Sequence, residues 1–537
     1  MYDVLIVGGG SAGLCAALAA KDNGAKVAVV GKNYPTRSQT CMAQGGINAA
    51  LGNSGEDSVE AHIADTLKSA KTLAEEEMVR KLCEGAPGAI EWLDSLGVPF
   101  SRLKGGMVAQ RRLGGAGAAR ACYAQDYTGL KILHTLYDAS LGRDVEFLNE
   151  LFLLNFIVEE NRVLGITAID MRSGEVKALG AKSVIVASGG YAGLYSGFTT
   201  NSSATTGDGV AAAVRAGCRL SDMEFVQFHP TALKRSGALI SESARGAGGK
   251  LLNSKGERFV DELKPRDVVA KAIWEQIESG EEVFLDIRDL GEAFIEENLP
   301  QERKLAVLYE GVDPVKEPIP IKPVAHYTMG GIDVGSDHMT SVEGLFAVGE
   351  CANSYVHGAN RLGGNSLLET VVFGKEAGRR AADFAMKNGA LPTASSAQFE
   401  KDRDFVEAIP HFSNQIDFYE KREFMGKIFY RNVGIARSEM GLKGVLSVIR
   451  QMQKELPFMG IADKSREFNT NLTEFIEFGN MVELAEIVLV AAIGRDESRG
   501  AHQREDFPAE NDEKFAGVHS VAWKEQGVLC NEFKGMR

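Results

Sequence analysis

Close to its start the chain carries GGGSAG, which sets Gly8, Gly10 and Gly13 in the spacing G-x-G-x-x-G between two apolar runs, YDVLIV and AKVAVV. In a strand–turn–helix unit of that kind the first glycine makes the tight turn, the second lets backbone approach a pyrophosphate, and the third lets helix pack on strand. Phosphates then sit at a helix N-terminus, where free N–H groups and the helix dipole attract anions. The spacing points to dinucleotide binding, although the same glycines also suit a plain tight turn. Gly31-Lys32 stands where an acidic residue would bond a ribose, which argues against NAD and leaves the ribose partner open. A second candidate stretch, TRSQTCMAQGG (36–46), is polar, holds two glutamines and a cysteine, and shows no packing pattern.

Metal chemistry has no comparable signal. The seven cysteines (15, 41, 83, 122, 218, 351 and 530) never form CxxC, and the nine histidines form no HxxxH or HExxH pair. No protein-bound metal or cluster is expected, and the cysteine usage suits a reducing compartment.

These residues need a scaffold of several domains. A chain of 537 residues is too long for one core, so two to four domains are expected. Hydrophobic content of 44% and charged content of 25% are ordinary for a soluble globular protein. The net charge of −14 argues against a nucleic-acid or anionic-membrane surface. Met1 runs directly into YDVLIV, so no signal peptide is expected. The run IVLVAAIG (487–494) falls far short of the about 20 residues a membrane span needs. A soluble, cytoplasmic chain is the expectation.

YDVLIV and AKVAVV are continuous apolar runs, as in a parallel sheet buried on two faces, and the helix between them closes at Gly24. SVIVASGG (183–190) and GLFAVGE (344–350) read as later returns to the same sheet. Residues 154–182 alternate and turn at EEN and RSG, which predicts an antiparallel meander. The region 231–325 mixes short strands, the helix RDVVAKAIWEQIESG and proline-rich connections, and reads as an inserted lobe. Helical spacing dominates from about 400 to 505, with Met481, Leu484, Ala485 and Val488 on one face. The stretch from REDFPAENDEK onward is polar and predicted to be loop-rich.

Longer strings carry a resemblance. FVQFHPTAL (225–233), KPRDVV (264–269), PVAHYTMGG (323–331), HGANRLGGNSLLETVVFG (357–374) and SRGAHQREDFP (498–508) occur in order. Together they resemble the flavoprotein of succinate dehydrogenases and fumarate reductases, a superfamily that includes L-aspartate oxidase. The likeness spans roughly residues 1 to 510. It implies an α/β fold: a doubly wound, Rossmann-like FAD-binding domain (1–230 and 326–390), an inserted α+β capping domain (231–325) and a C-terminal helical domain (395–505), with 506–537 as a tail.

The resemblance also implies site residues. Arg361 and His326 would hold one carboxylate of a dicarboxylate such as fumarate, and His229 and Ser241 the other, where the family usually has threonine at Ser241. Arginine presents a planar fork to a carboxylate. Hydride would pass from flavin N5 to one carbon of the polarised double bond, and the other carbon would take a proton from Arg266. Glu242 and Arg245, in SESARGAGG, would reprotonate Arg266; Ala247 departs from the family's usual glutamate. FAD contacts would come from Gly8, Gly9, Gly10, Ser11, Ala12, Gly13, Gly31, Lys32, Ser38, Gln39, Thr40, Gln44, Gly45, Gly46, Asp208, Glu350, Ser366 and Leu367.

In most respiratory members of that family a histidine bonded to the flavin matches position 39. Glutamine cannot form that bond, so FAD is expected to be held by contacts alone, which favours fumarate reduction. L-Aspartate oxidase also lacks the tether. Its members tend to place a glutamate just before the GG of RLGGAGAARACYAQDYTG (112–129), where an amino group could be met; here that residue is Leu113. The expectation is the catalytic subunit of a fumarate reductase or succinate dehydrogenase complex, with L-aspartate oxidase as the alternative. The expected partners are the dicarboxylate, an iron–sulfur subunit, and a membrane-bound or thiol-oxidising module beyond it. No nucleic acid is expected, and any membrane association would run through partners at the inner face.

Overall fold

The computed structural model describes residues 1–389 and 396–535. The expected domain limits at 390 and 395, and the last two residues of the expected tail, lie outside the described residues. Tyr2–Val7 pairs in parallel with Val27–Gly31 on one side and with the end of Glu175–Val186 on the other. Glu146–Asn149 and Leu345–Ala347 extend this parallel sheet at its flanks. Both strand-into-glycine segments therefore return to one sheet.

Alternate side chains of the first strand serve two cores. Val4 and Ile6 pack with the helices Ser11–Asp22, Glu76–Ser95, Thr128–Leu141 and Asn365–Lys387. Leu5 and Val7 join a core that includes Asp208–Arg215 and Thr470–Gly494. A strand buried on both faces between helices is the doubly wound arrangement, and it explains why YDVLIV does not alternate with polar residues. The first half of Glu175–Val186 pairs antiparallel with Arg162–Asp170, which pairs with Leu151–Glu159, completing the expected meander.

The capping domain has a core of its own, built from Leu233, Ile240, Leu251, Val269, Ile273 and Leu285 among others. Its antiparallel sheet runs Val226–Leu233, Ile319–Thr328, Val283–Asp286, Lys250–Asn253. The cap docks on the flavin domain through Asp126, whose Oδ2 accepts from the backbone N–H of Gln301 (2.7 Å) and Glu302 (3.3 Å) at the start of the helix Pro300–Leu305. The Glu302 carboxyl is fully buried beside it.

One expectation is extended and one corrected. The helix Thr470–Gly494 buries the expected face of Met481, Leu484, Ala485 and Val488, and Phe478, Val482 and Leu489 are equally inaccessible. It lies against Glu439–Glu455, Asp208–Arg215 and the C-terminal strands at once. The tail is not loop-rich. Val518–Glu525 and Val528–Gly535 form an antiparallel hairpin around the two-residue turn Gln526-Gly527, and the first strand adds to Leu220–Ser221. Both turn residues have positive φ (50° and 82°), as a tight hairpin turn demands, and the half-exposed second strand explains the polar composition. Among the described residues no helix is long and apolar enough to cross a membrane.

Candidate active site

A long cleft, with about 1530 Å³ of atom-free space partly open to solvent, runs from the first glycine turn to the underside of the cap. At one end Gly8, Gly9, Gly10, Ser11 and Ala12 line it. Gly8 has φ +111°, and a Cβ there would stand 2.2 Å from the Ala187 carbonyl oxygen, so only glycine fits. Gly13 does not line the cleft: a Cβ on it would meet the Gly8 carbonyl oxygen at 1.9 Å, so it serves helix-on-strand packing. The helix Ser11–Asp22 has no side-chain cap from its N-cap Gly10, and the Ser11 N–H bonds Thr40 Oγ1 (3.1 Å).

Gly31, Lys32, Ser38, Gln39, Thr40, Gln44, Gly45, Gly46, Glu350, Ser366 and Leu367 also line the cleft. Ser38 Oγ and both amide atoms of Gln44 are buried with no protein partner, and a buried amide requires a polar one. Gln39 turns its oxygen to the Ser202 N–H (2.8 Å). Burial raises the Glu350 carboxyl to about 7, against the opposing pull of the Thr328 N–H and Arg361. Asp208 stands behind the lining and holds Lys32 Nζ (2.6 Å), which Glu477 also meets (2.5 Å). This long-range pairing makes Asp208 a support of a lining residue. Arg111, which the sequence did not single out, bonds the carbonyls of Gly45 (2.9 Å) and Gln44 (2.8 Å) and so braces the glycine-pair segment.

The far end is built mainly from the cap sheet and the two helices beside it. Gln227 and His229 lie two apart on Val226–Leu233 and so share a face. The register between that strand and Ile319–Thr328 shifts between Gln227 and Phe228, whose partners are Tyr327 and Ala325. His326 is the extra residue of this bulge, a device that re-aims a side chain. The His229 and His326 rings stand 4.9 Å apart, centroid to centroid. Burial, followed by neighbouring cations, holds both imidazoles well below their usual range, so both are neutral at neutral pH. Thr200 Oγ1 is 2.7 Å from His326 Nδ1.

Ser241 caps the helix Glu242–Gly246: its Oγ accepts from the Ser243 N–H (3.1 Å) and the Ser243 hydroxyl (2.8 Å), leaving its own O–H to donate into the cleft. Glu242 follows it, fully buried, between two arginines. Its Oε2 accepts from Arg266 Nε (3.0 Å) and Nη2 (2.6 Å), and its Oε1 accepts from the Gly114 N–H (2.8 Å) and faces Arg245 Nη2 at 3.6 Å. Burial disfavours the carboxylate, but the two arginines outweigh it and hold Glu242 below the usual carboxylate range. The carboxyl fits because its neighbours are glycines: a Cβ on Gly114 or Gly363 would fall 2.3 or 2.8 Å from its oxygens. Arg245 stays behind the lining, with Nη1 on the Glu262 carbonyl (2.5 Å).

Arg361 reaches the same end from the loop before Asn365–Lys387 and lies over the Tyr327 ring (4.2 Å). Burial, then the neighbouring Arg266, lowers it to about 10, and its Nε has no protein partner. Leu113 is buried in the cleft wall. Gln227, missed in the sequence because it sits inside an apolar-looking strand, bonds both Arg266 (3.0 Å) and Arg361 (3.1 Å).

Comparison with known proteins fits this geometry. A sequence-family model described as an FAD binding domain matches residues 3–367, and one described as fumarate reductase flavoprotein C-term matches residues 422–532. The 8-methylmenaquinol:fumarate reductase flavoprotein subunit of Wolinella succinogenes is 41% identical over 547 residues, covering 98% of this chain and 89% of that protein. The succinate dehydrogenase flavoprotein subunit of Rickettsia bellii is 38% identical over 566 residues, covering 99% and 95%. A solved chain of E. coli quinol fumarate reductase superposes with a TM-score of 0.95 at 37% identity, covering all of this chain and 96% of that one. The residues present suit FAD: the uncapped helix start beyond Gly10 offers N–H groups to a pyrophosphate, and the partnerless Gln44 amide offers a donor and an acceptor to a polar ring edge. The chain belongs to the succinate dehydrogenase/fumarate reductase flavoprotein family of FAD-dependent oxidoreductases.

Proposed function

We propose that this chain is the catalytic flavoprotein subunit of a fumarate reductase or succinate dehydrogenase complex, biased toward fumarate reduction. One observation carries the substrate class. Arg245, Arg266 and Arg361 are buried around one end of the cleft, and among the described residues Glu242 is the only carboxylate within ion-pair distance of any of them. Buried charge left uncompensated is costly, and a dicarboxylate dianion relieves it. Arg361 with His326 grips one carboxylate; His229 with the Ser241 hydroxyl grips the other. Leu113 offers nothing to an ammonium group, so an amino acid substrate would leave that group unpaired.

FAD, when bound, supplies the hydride. The chain supplies the proton. Arg266 has two N–H groups on Glu242 and one on Gln227, which leaves two of its five to face the cleft. A guanidinium is effectively never deprotonated in proteins, yet the carbanion developing beside a carboxylate is a stronger base than neutral guanidine, so transfer from Arg266 runs downhill. Glu242, bonded to Arg266 and facing Arg245, returns the proton. With the Thr200 hydroxyl donating to Nδ1, the single N–H of the neutral His326 ring lies on Nε2 and serves the substrate.

Gln39 cannot tether the cofactor, so FAD is held by contacts alone. A tether raises the flavin potential, and about 30 mV on a two-electron couple is about 1.4 kcal/mol; without it the reduced flavin is the stronger donor. Electrons arrive from an iron–sulfur subunit, with a membrane-bound or thiol-oxidising module beyond it. The chain itself is cytoplasmic, at the inner membrane face only through those partners. Support comes from the relatives, which are named as subunits.

The test uses the purified holo-chain. Fumarate should oxidise reduced viologen dye in its presence, L-aspartate should leave the flavin spectrum unchanged anaerobically, and acid precipitation should leave the flavin in the supernatant. Rapid bleaching by L-aspartate would replace this reading with L-aspartate oxidase, and a fluorescent protein band on a denaturing gel would refute the untethered cofactor.

A further inference from the structure

We propose that Gln227 is the positioning residue that sets the preference for a dianionic substrate, an inference that rests on the dicarboxylate reading above. Gln227 is buried and lies behind the cleft lining. Its Oε1 accepts from Arg266 Nη1 (3.0 Å) and from Arg361 Nη2 (3.1 Å). Its Nε2 donates to Asn360 Oδ1 (2.8 Å) and to the Arg361 carbonyl (2.8 Å). Two donors on one side and two acceptors on the other dictate the orientation of the amide. The reversed amide would set N–H against N–H and oxygen against oxygen.

One neutral oxygen thus holds the proposed acid and the proposed carboxylate clamp at a fixed separation. Two guanidinium groups brought this close repel each other in a buried site. A carboxylate could bridge them, as Glu242 bridges Arg266 and Arg245, but it would cancel one of the charges a dianion must meet. A carboxylate there would also tighten the hold of Arg266 on its proton, making it a poorer acid. An amide supplies an acceptor dipole and no charge. It orients both forks and leaves their positive field intact for the ligand. The type of residue at 227 is therefore a specificity choice, because glutamate has almost the same shape and the opposite electrostatic result.

The experiment titrates the oxidised holo-protein with fumarate and with monomethyl fumarate, following the flavin absorbance, and separately measures kcat and KM. Gln227→Glu should weaken fumarate binding by about 100-fold and the monoester by about tenfold or less, because the added charge acts twice on a dianion. The wild-type preference for the dianion should thus shrink by at least about tenfold. Gln227→Met keeps the volume and adds no charge. It should raise the KM for fumarate and lower kcat, each by about tenfold, as both forks lose their common acceptor, while the dianion preference stays within about threefold of wild type. A purely structural role would weaken both ligands alike in both variants. The inference is overturned if folded, flavin-loaded Gln227→Glu keeps the wild-type preference. Should that variant not fold, wild-type kcat and KM in Gln227→Met would overturn it equally. Failure of the wild-type protein to bind fumarate at all would refute the dicarboxylate reading itself, a separate result visible before any variant is made.

Discussion

Arg495 and Arg499, buried near the C-terminal hairpin, each bond two carboxylates, whereas at the cleft Arg245 and Arg266 share Glu242 and Arg361 meets no carboxylate among the described residues. In the first cluster Arg495 bonds Glu224 (2.6 Å) and Glu497 (3.2 Å), and Arg499 bonds Glu497 (2.8 Å) and Asp512 (2.7 Å). Phe225, Phe515 and Phe533 ring Arg495 at 4.9 to 5.4 Å. In the second, Arg361 has no ion-pair partner among the described residues and keeps one N–H unused. Burial of arginine alone does not mark a functional site. What separates these two sets of arginines is the supply of carboxylates: Arg495 and Arg499 have two each, and the three at the cleft have Glu242 alone.

Four experiments press on that contrast. Arg266→Gln in the cleft should have the largest effect, a fall in turnover of at least about 10² to 10⁴ with little change in fumarate affinity, since general acids contribute on that scale. Arg361→Gln should weaken both binding and turnover. Near-normal turnover with a large loss of affinity in Arg266→Gln would move Arg266 into the clamp with Arg361.

Arg495→Met should do the reverse. It strands Glu224 without its cation, so stability should drop by about 3 to 5 kcal/mol in a denaturant titration. Turnover per bound flavin should stay at the wild-type value. A loss of specific turnover without loss of stability would dissolve the distinction between the clusters.

Ligand should stabilise the arginines at the cleft. Fumarate at about 100 times its Kd should add about 2.7 kcal/mol to the holo-protein, read as a rise in melting temperature. Dimethyl fumarate, which carries no charge, should add nothing, and Arg361→Gln should abolish most of the fumarate shift. An equal rise with the diester would remove charge as the reason for binding.

The smallest effect concerns Glu302, an acid with no cation bonded to it, where the cap meets the flavin domain. Burial, then the Asp126 side chain, holds it well above the usual carboxylate range. The unfolded chain thus releases this proton at a lower pH than the folded one. The contribution to stability is full below about pH 4.3 and is lost as pH rises toward the folded-state value. Glu302→Gln has no proton to lose. Its melting temperature relative to wild type should climb by about 2 °C between pH 4.5 and pH 8. A constant offset across that range would show that Glu302 is not held neutral.

Much of the scaffold was legible in the sequence because it is local. YDVLIV, GGGSAG and AKVAVV state strand, turn, helix and strand in consecutive residues, and the meander shows in alternation and turns. The tail was misread because its polar composition hid the alternation of VHSVAWKE and VLCNEFKG around Gln526-Gly527. The pairing of Asp208 and Glu477 with Lys32 was not legible for another reason: Lys32 and Glu477 lie 176 and 269 positions from Asp208 in the chain.

What the sequence determined by itself was the dinucleotide turn and the buried parallel strands, both set by residue type and short-range spacing. Only the tertiary structure decided which arginines are short of carboxylates. That depends on a bulge that re-aims His326, on Gly114 and Gly363 leaving room for Glu242, and on Gln227 meeting Arg266 and Arg361 from three separate segments. Local spacing reports which way a side chain leaves its own strand or helix, and says nothing about the charge it will face across a packed interior.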